Sequence, residues 1–213
     1  FKFLNRYLEF MTPAIKKYNG FIDKYIGDAV MALFPTSAED AVLAAVEMNK
    51  QLAVYNSDEP TSGKDPVNMG VGIHIGQLVL GTIGRELRME TTVISDTVNA
   101  SARLENLNKT YKTNVLISGA VRDELSPDIQ SFCRLIDRTQ VKGKEEFLDV
   151  YEVYLTDDEA LAEAKSKSKK VLTSIVDSFY LGDIKAAKKL LGELEDDTKK
   201  DTVISFWKTR LKT

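Results

Sequence analysis

The chain has 213 residues and a formal net charge of -3, with basic and acidic side chains interspersed along it. This balance leaves no basic stripe, so no nucleic-acid partner is expected. No apolar run approaches the roughly 18 residues of a membrane span, and the single Cys133 has no partner for an internal disulfide, which fits a reducing compartment. We therefore expect a cytoplasmic protein, in which a region upstream of Phe1 would supply any membrane tether.

The first predicted elements are an amphipathic helix and a hairpin. Apolar residues recur at helical spacing from Leu4 to Ile15, which predicts a helix that Gly20 would end. Two short apolar segments, "FIDKYI" and "AVMALF", then have the composition of strands. Because only Gly27 and Asp28 separate them, they predict a tight β-hairpin with Asp28 at its tip.

Strands and helices alternate along the next hundred residues. Ser37 begins a capping-box pattern that predicts a helix to about Tyr55, and an alternating pattern from Val67 to Ile75 predicts a strand with glycines opposite its core face. A mixed-sheet α+β fold is the class that such an alternation favours. The remaining predictions are strands at "LVLGTI", "TVI" and "NVLIS", a helix at "SDTVNASARLENLNKTY", a short helix capped by Ser118, and a final hairpin turned at residues 142–145.

From residue 156 onward the sequence is helical and charge-balanced in character. The pattern "FYLGDIKAAKKLL" is similar to one tetratricopeptide-type helical hairpin, but a single unit cannot form a solenoid. We interpret residues 156–213 as a separate helical extension that packs on, or dimerises, a domain of residues 1–155. Trp207 and Phe206 are expected in its core.

Four polar residues stand out as candidates for ligand binding. Asn99 and Arg103 lie four apart on one predicted helix and so point to the same face, and an arginine fork together with an amide suits a phosphate and a ribose. Alone, this pair is also what a solvated helix face contains. Lys24 and Lys142 are, by themselves, ordinary lysines of a strand and a hairpin turn.

Together these segments resemble a known family. The stretches "DKYIGDAVMALF", "GIHIGQLVLGTIG", "RMETTVISDTVNASARLE" and "VKGKEEFLDVYEV" are similar, in order and spacing, to the catalytic domain of the class III nucleotide cyclases, the adenylyl and guanylyl cyclases. The resemblance covers Phe1 to about Leu155. It implies a ferredoxin-like, palm-type mixed sheet, followed here by the helical extension, and conversion of ATP into 3',5'-cyclic AMP and pyrophosphate.

The resemblance also implies how metal and base are bound. Asp28 corresponds to the second of two metal-binding aspartates, for Mg²⁺ or Mn²⁺ with two ions per site. Lys24 and Thr92 would read the base, since a lysine that donates to N1 and a hydroxyl that accepts from the 6-amino group complement adenine. Thr92 stands where many members carry Asp, and threonine is an alternative that bacterial-type members carry. ATP is therefore favoured over GTP, and guanylyl cyclase activity stays as an alternative.

The remaining implied residues handle the sugar and the phosphates. Asn99 would orient the ribose, Arg103 would neutralise the α-phosphate, and Lys142 would hold the terminal phosphates. In the family the metal aspartates come from one subunit and the other residues from its partner, so a homodimer with shared sites is implied. Asp28 would then act across the interface from Arg103.

Two departures from the family pattern leave an alternative open. No stretch like F-x-D-[IV]-x-G-[FS], which carries the first metal aspartate, precedes Asp28. We expect that aspartate upstream of Phe1, together with regulatory domains. Ser95 replaces a usual glycine, with little expected effect. The alternative to a cyclase is a non-catalytic, cyclase-like regulatory or dimerisation domain.

Overall fold

The computed structural model describes residues 2–57, 65–83, 90–94, 96–140, 147–194 and 200–212, with the backbone alone described at residues 3, 79–83 and 90–94. Helices and strands alternate through its first three quarters, and helices alone follow. The helices are α1 (Lys2–Lys17), α2 (Ala38–Ser57), α3 (Asp96–Tyr111), α4 (Gly119–Asp123), α5 (Pro127–Ser131), α6 (Glu159–Tyr180), α7 (Ile184–Gly192) and α8 (Thr202–Arg210). The strands are β1 (Phe21–Ile26), β2 (Ala29–Leu33), β3 (Val71–Ile73), β4 (Val79–Ile83), β5 (Glu90–Ile94), β6 (Val115–Ser118), β7 (Cys133–Gln140) and β8 (Phe147–Val153).

The residue that ends helix α1 is Asn19, one position before the glycine that the sequence predicts for this role. Asn19 takes the left-handed conformation with φ of 60°, and the Gly20 N–H donates to the Ile15 carbonyl at 3.0 Å, which is the hydrogen-bond pattern of a Schellman motif. Gly20 is needed for a different reason, since a Cβ there would overlap the ring of Phe34.

The hairpin prediction is confirmed. Strands β1 and β2 pair antiparallel up to Ile26 and Ala29, so Gly27 and Asp28 form a two-residue turn. Gly27 has φ of 64°, a conformation that glycine adopts without steric cost at the first position of such turns. The register shifts between Ile22 and Lys24, which leaves Asp23 as a bulge in β1.

A mixed four-stranded sheet forms the centre of the molecule, in the order β3-β6-β8-β7. Strand β3 is parallel to β6, whereas β8 is antiparallel to both of its neighbours. This confirms the α+β class with a mixed sheet. The strand predicted from Val67 to Ile75 is shorter than expected, because only Val71–Ile73 pairs with a neighbour in the described chain.

Helix α3 lies directly on β3. A Cβ at Gly72 would overlap the backbone of Ser101 and Glu105, so only glycine lets helix and strand approach this closely. Asn108, which is buried, donates to the Val71 carbonyl at 3.0 Å and fixes the lower part of the helix. The glycine face of this strand, expected to lie away from the core, is therefore covered by α3.

The C-terminal helices share one hydrophobic core with the sheet. Trp207 is completely buried, as predicted, and its indole N–H donates to the Ile136 carbonyl at 2.8 Å. Ile136 is the extra residue where the β7 register shifts between Leu135 and Asp137, so the indole bonds to a residue outside the regular pairing. The buried members of this core are Leu104, Tyr111, Leu116, Leu135, Ile136, Val150, Leu172, Ile175, Val176, Ala187, Leu191, Val203, Ile204, Trp207 and Leu211.

Four buried charges also join the sheet to the helices, and we call this cluster the charged junction: Arg134, Glu152, Lys165 and Asp201. Arg134 donates from Nε to Glu152 at 2.7 Å and through both Nη atoms to Asp201, at 2.5 and 2.9 Å. Lys165 donates to the second Glu152 oxygen at 2.7 Å. Asp201 also caps α8 by accepting from the Val203 N–H at 3.0 Å. Every charge of the junction is thus paired.

None of the helices in the described part of the chain combines the length and apolar character needed to cross a bilayer.

Candidate active site

Asp28 stands at the exposed tip of the β1–β2 hairpin. Among the described residues no side chain forms a hydrogen bond or ion pair with it. The pKa of Tyr7 in α1 is raised mainly by burial and to a smaller extent by the negative charge of Asp28. Because the turn lifts this carboxylate clear of the sheet, the group stays solvated without an internal partner.

Lys24 lies on the same hairpin, paired in register with Met31. Its ammonium is 3.3 Å from the Asp23 carboxylate, and its side chain is 33% exposed while that of Asp23 is 8% exposed. The bulge therefore places a nearly buried carboxylate beside a partly exposed lysine. This neighbour keeps the ammonium on the hairpin, where it remains accessible to a ligand.

Asn99 and Arg103 lie on one exposed face of α3. Ala100 and Leu104, which follow each of them in sequence, are 4% and 0% exposed and face the core. In the part of the chain that the structure describes, neither Asn99 nor Arg103 makes a side-chain hydrogen bond or ion pair. The helix thus presents an amide and a guanidinium side by side, both available to an anionic, polar ligand.

The other residues of the expected site are described less fully. Thr92 lies in β5, where only the backbone is described, opposite Gly81 of β4. Lys142 and Ser95 lie outside the described residues. Gln140 and Phe147 are paired in register, and the turn predicted between them at residues 142–145 lies outside the described residues as well.

Metal binding at this site would depend on carboxylate ligands. The described residues contain no cluster of three or more His, Cys, Asp or Glu side chains that could hold an ion. Asp28 offers an exposed carboxylate with no bonded partner among the described residues, and carboxylate oxygen is the ligand type that Mg²⁺ and Mn²⁺ prefer. The donor chemistry fits, and the described residues of one chain supply one ligand.

One buried cluster was missed by sequence reasoning. Asp137 is 3% exposed and accepts hydrogen bonds from Tyr111 at 2.6 Å, Arg210 at 2.6 Å and Tyr180 at 2.9 Å. Burial, and then the charge of Asp137, raise the pKa of Tyr111, so its phenol stays protonated and donates. A charged residue inside the apolar strand "RLID" was the available signal for a buried polar contact.

Residues 1–155 match the family described as the adenylate and guanylate cyclase catalytic domain. With the mixed sheet, the hairpin carboxylate and the polar face of α3, this match defines the class of protein. The chain belongs to the class III nucleotide cyclase family. The resemblance seen in the sequence is thereby confirmed.

Relatives from distant organisms share this domain. The chain is 44% identical to an adenylate cyclase of Anabaena cylindrica over 159 residues, which cover 72% of this chain and 32% of the relative. It is 42% identical to the terminal-differentiation-specific adenylate cyclase of Dictyostelium discoideum over 159 residues, covering 71% of this chain and 7% of the relative. The chain thus spans about a third or less of these curated relatives.

A solved structure agrees with the fold. The guanylyl cyclase Cya2 superimposes with a TM-score of 0.61 and 30% identity, covering 74% of this chain and 81% of that one. Sequence relatives named as adenylate cyclases and a structural relative named as a guanylyl cyclase therefore share one architecture. The choice of base must follow from individual residues.

Proposed function

We propose that this domain is an adenylyl cyclase, which converts ATP into 3',5'-cyclic AMP and pyrophosphate. One observation carries the proposal: Asp28, Asn99 and Arg103 are exposed and unbonded among the described residues, at the positions of the cyclase motifs. The similarity to two adenylate cyclases supports the same activity.

The chemistry follows from the residues' properties. The 3'-hydroxyl oxygen forms a bond to the α-phosphorus, the bond from that phosphorus to the bridging oxygen breaks, pyrophosphate leaves and the hydroxyl proton is released to solvent. Asn99 orients the ribose for in-line attack. Arg103 stabilises the negative charge on the α-phosphate, and Lys142 holds the departing phosphates. Two Mg²⁺ or Mn²⁺ ions, when bound with Asp28 as a ligand, would polarise the attacking and leaving oxygens.

Base selection rests on Lys24 and Thr92. A donor facing N1 and an acceptor facing the exocyclic amine match adenine, while guanine presents the opposite pattern at these positions. Purified full-length protein with Mn²⁺ should turn over ATP with a kcat/KM at least about tenfold above that for GTP. Equal or faster turnover of GTP would replace this assignment by the guanylyl cyclase alternative.

Each site is proposed to be shared between two subunits of a homodimer, with Asp28 from one and Lys24, Asn99 and Arg103 from the other. Homodimers of Asp28→Ala and of Arg103→Ala should each be nearly inactive. In an equal mixture with free exchange, half of the dimers are mixed and each keeps one of two sites, giving about a quarter of wild-type activity. Activity that stays at the level of the separate variants, with exchange confirmed by mass spectrometry of tagged chains, contradicts sharing.

A second candidate function is a non-catalytic domain that binds nucleotide or dimerises as part of a longer regulatory protein. It is favoured by the observation that no cluster of three or more His, Cys, Asp or Glu side chains among the described residues could hold an ion. Full-length protein that binds ATP in calorimetry but forms no cyclic AMP with Mg²⁺ or Mn²⁺ would support this candidate. Since the two relatives are longer than this chain, regulatory domains N-terminal to it are also part of the proposal.

A further inference from the structure

The C-terminal end of α3 is held by α8. The ring of Phe206 packs edge-on against Tyr111, the last residue of α3, with ring centroids 4.8 Å apart. The next residue, Lys112, accepts a hydrogen bond on its carbonyl from the Thr202 hydroxyl at 3.2 Å. Two contacts from one helix therefore fix the point at which the other helix ends.

A third contact passes through the buried Asp137. This carboxylate of β7 accepts from Tyr111 of α3 and from Arg210, the last residue of α8, each at 2.6 Å. Asp137 is 3% exposed. Water therefore does not compete for these hydrogen bonds, and the charge-assisted bond with Arg210 is strong. Sheet, α3 and α8 are thus joined at one carboxylate.

The direction of α3 at Tyr111 determines the position of Arg103, which lies nearer the N-terminal end of the helix. Arg103 lies eight residues, or about 12 Å, before Tyr111 on a rigid helix. A tilt of about 5° at Tyr111 would move the Arg103 backbone by about 1 Å, and misplacement by about 1 Å can cost on the order of 100-fold in rate. The loss of one contact at the C-terminal end of α3 is therefore expected to lower the reaction rate at the candidate active site.

We propose that the C-terminal helices are a positioning element for α3. Tyr111, Asp137, Arg210 and Thr202 set the direction of the helix and thereby the place of Arg103 and Asn99. These four are positioning residues that touch no substrate. The proposal rests on the proposed function, because it takes Arg103 and Asn99 to bind the nucleotide.

The test is Tyr111→Phe in the full-length protein, which removes one hydroxyl and keeps the ring. The expected result is a kcat lower by about tenfold with a KM for ATP changed by less than about twofold, since Arg103 acts on the charge that develops in the transition state. The matched control is Tyr154→Phe, which removes a hydroxyl that donates to the Ser131 carbonyl at 3.0 Å, from a tyrosine that is 1% exposed. It should lose comparable thermal stability and keep its kcat.

Coupling to Arg103 separates positioning from general damage. In an Arg103→Lys background the effect of Tyr111→Phe on kcat should shrink from about tenfold to about threefold or less, since residues that act as a unit are not additive. An undiminished tenfold effect, or an equal kcat loss in Tyr154→Phe, overturns the proposal.

Thr202→Val provides a second variant should Tyr111→Phe fold poorly. It removes only the bond to Lys112, and a kcat lower by about twofold at an unchanged melting temperature is expected. A wild-type kcat in this variant and in any folded Tyr111→Phe protein overturns the proposal. The proposed function fails separately, if Arg103→Ala leaves ATP turnover unchanged.

Discussion

The charged junction and the candidate active site use the same types of side chain in opposite ways. In the junction, Arg134 has a side chain that is 0% exposed and bonds two carboxylates. At the site, Arg103 and Asp28 are exposed and without bonded partners among the described residues. Ion pairing inside the chain therefore serves structure in the first region, while the charges of Arg103 and Asp28 in the second region remain solvated.

This contrast has an energetic basis. A buried ion must be paired because its desolvation costs several kcal/mol, whereas an exposed one remains solvated and costs nothing to leave free. An exposed arginine close to an unpaired amide gains more from a phosphate than from water, since the fork binds two oxygens at once. The exposed, unpaired side chains Asn99 and Arg103 are thus the ones best suited to bind a ligand.

The largest expected effect comes from breaking the junction. Asp201→Asn leaves Arg134 with one carboxylate partner and should lower the free energy of unfolding by about 3–5 kcal/mol, as removal of one member of a buried pair does. Asparagine still caps a helix well, so the loss reports the charge. The measurement is urea denaturation followed by circular dichroism.

Asp28→Asn is the matched control, because it neutralises an exposed aspartate. It should leave the denaturation midpoint unchanged while abolishing cyclic AMP formation. Equal stabilities for the two variants would mean that the difference in burial between the regions has no energetic consequence.

A smaller effect is expected where α3 meets the sheet. In Gly72→Ala the added methyl group would overlap backbone atoms of Ser101 and Glu105. The free energy of unfolding should fall by about 1–3 kcal/mol, as overpacking causes. Gly192→Ala is the control, since a Cβ there meets nothing within 4 Å, and it should be neutral or stabilising by up to about 1 kcal/mol. Thermal unfolding of both variants checks this, and a stable Gly72→Ala protein would show that α3 is free to shift.

Acid should weaken the junction next. Burial opposes ionisation of Asp201, but its hydrogen bonds to Arg134 and the charge of that residue outweigh burial and lower the pKa below the ordinary 3.8. An acid with a depressed pKa in the folded state contributes its full stability above the unfolded value, and this is lost as pH falls through the folded one. The difference in the free energy of unfolding between wild type and Asp201→Asn should therefore narrow as the pH falls below about 4 and through the depressed pKa of Asp201. A gap that stays constant would locate acid lability elsewhere.

The smallest expected effect concerns Cys133, at the start of β7. Burial raises the pKa of its thiol to about 11, and the residue is 1% exposed. Because the thiolate is the nucleophile, iodoacetamide at pH 7.5 should modify the native protein slowly and the unfolded protein fast. Fast modification of native protein, read by mass spectrometry, would show that this edge of the sheet opens.

The parts of the fold that sequence predicted are those set by neighbours in the chain. A glycine and an aspartate between two apolar runs predicted the hairpin, and the period of α3 placed Asn99 and Arg103 on one face. The sequence predicts that Gly20 ends α1, whereas the left-handed residue of the Schellman motif is Asn19, because both residue types tolerate that conformation. Local physics thus predicted elements well and their last residue less well.

The parts that sequence did not predict depend on residues far apart in the chain. Asp137 and Arg210 are 73 positions apart, and Arg134 and Asp201 are 67 apart. Turn chemistry and periodicity carry no information on such pairs. Charges inside the strand "CRLIDR" indicated that partners existed, but their identity depended on how the tail helices fold back.

The bond between Trp207 and the Ile136 carbonyl also has a consequence for synthesis. Its two residues are 71 positions apart, and a ribosome adds about 5–20 residues per second. The bulge of β7 therefore emerges about 4–14 s before the indole that covers it. Glu152 follows Arg134 by 18 positions and Asp201 follows it by 67, so for most of this interval Arg134 lacks its second carboxylate and the nascent sheet exposes apolar surface to which a chaperone could bind.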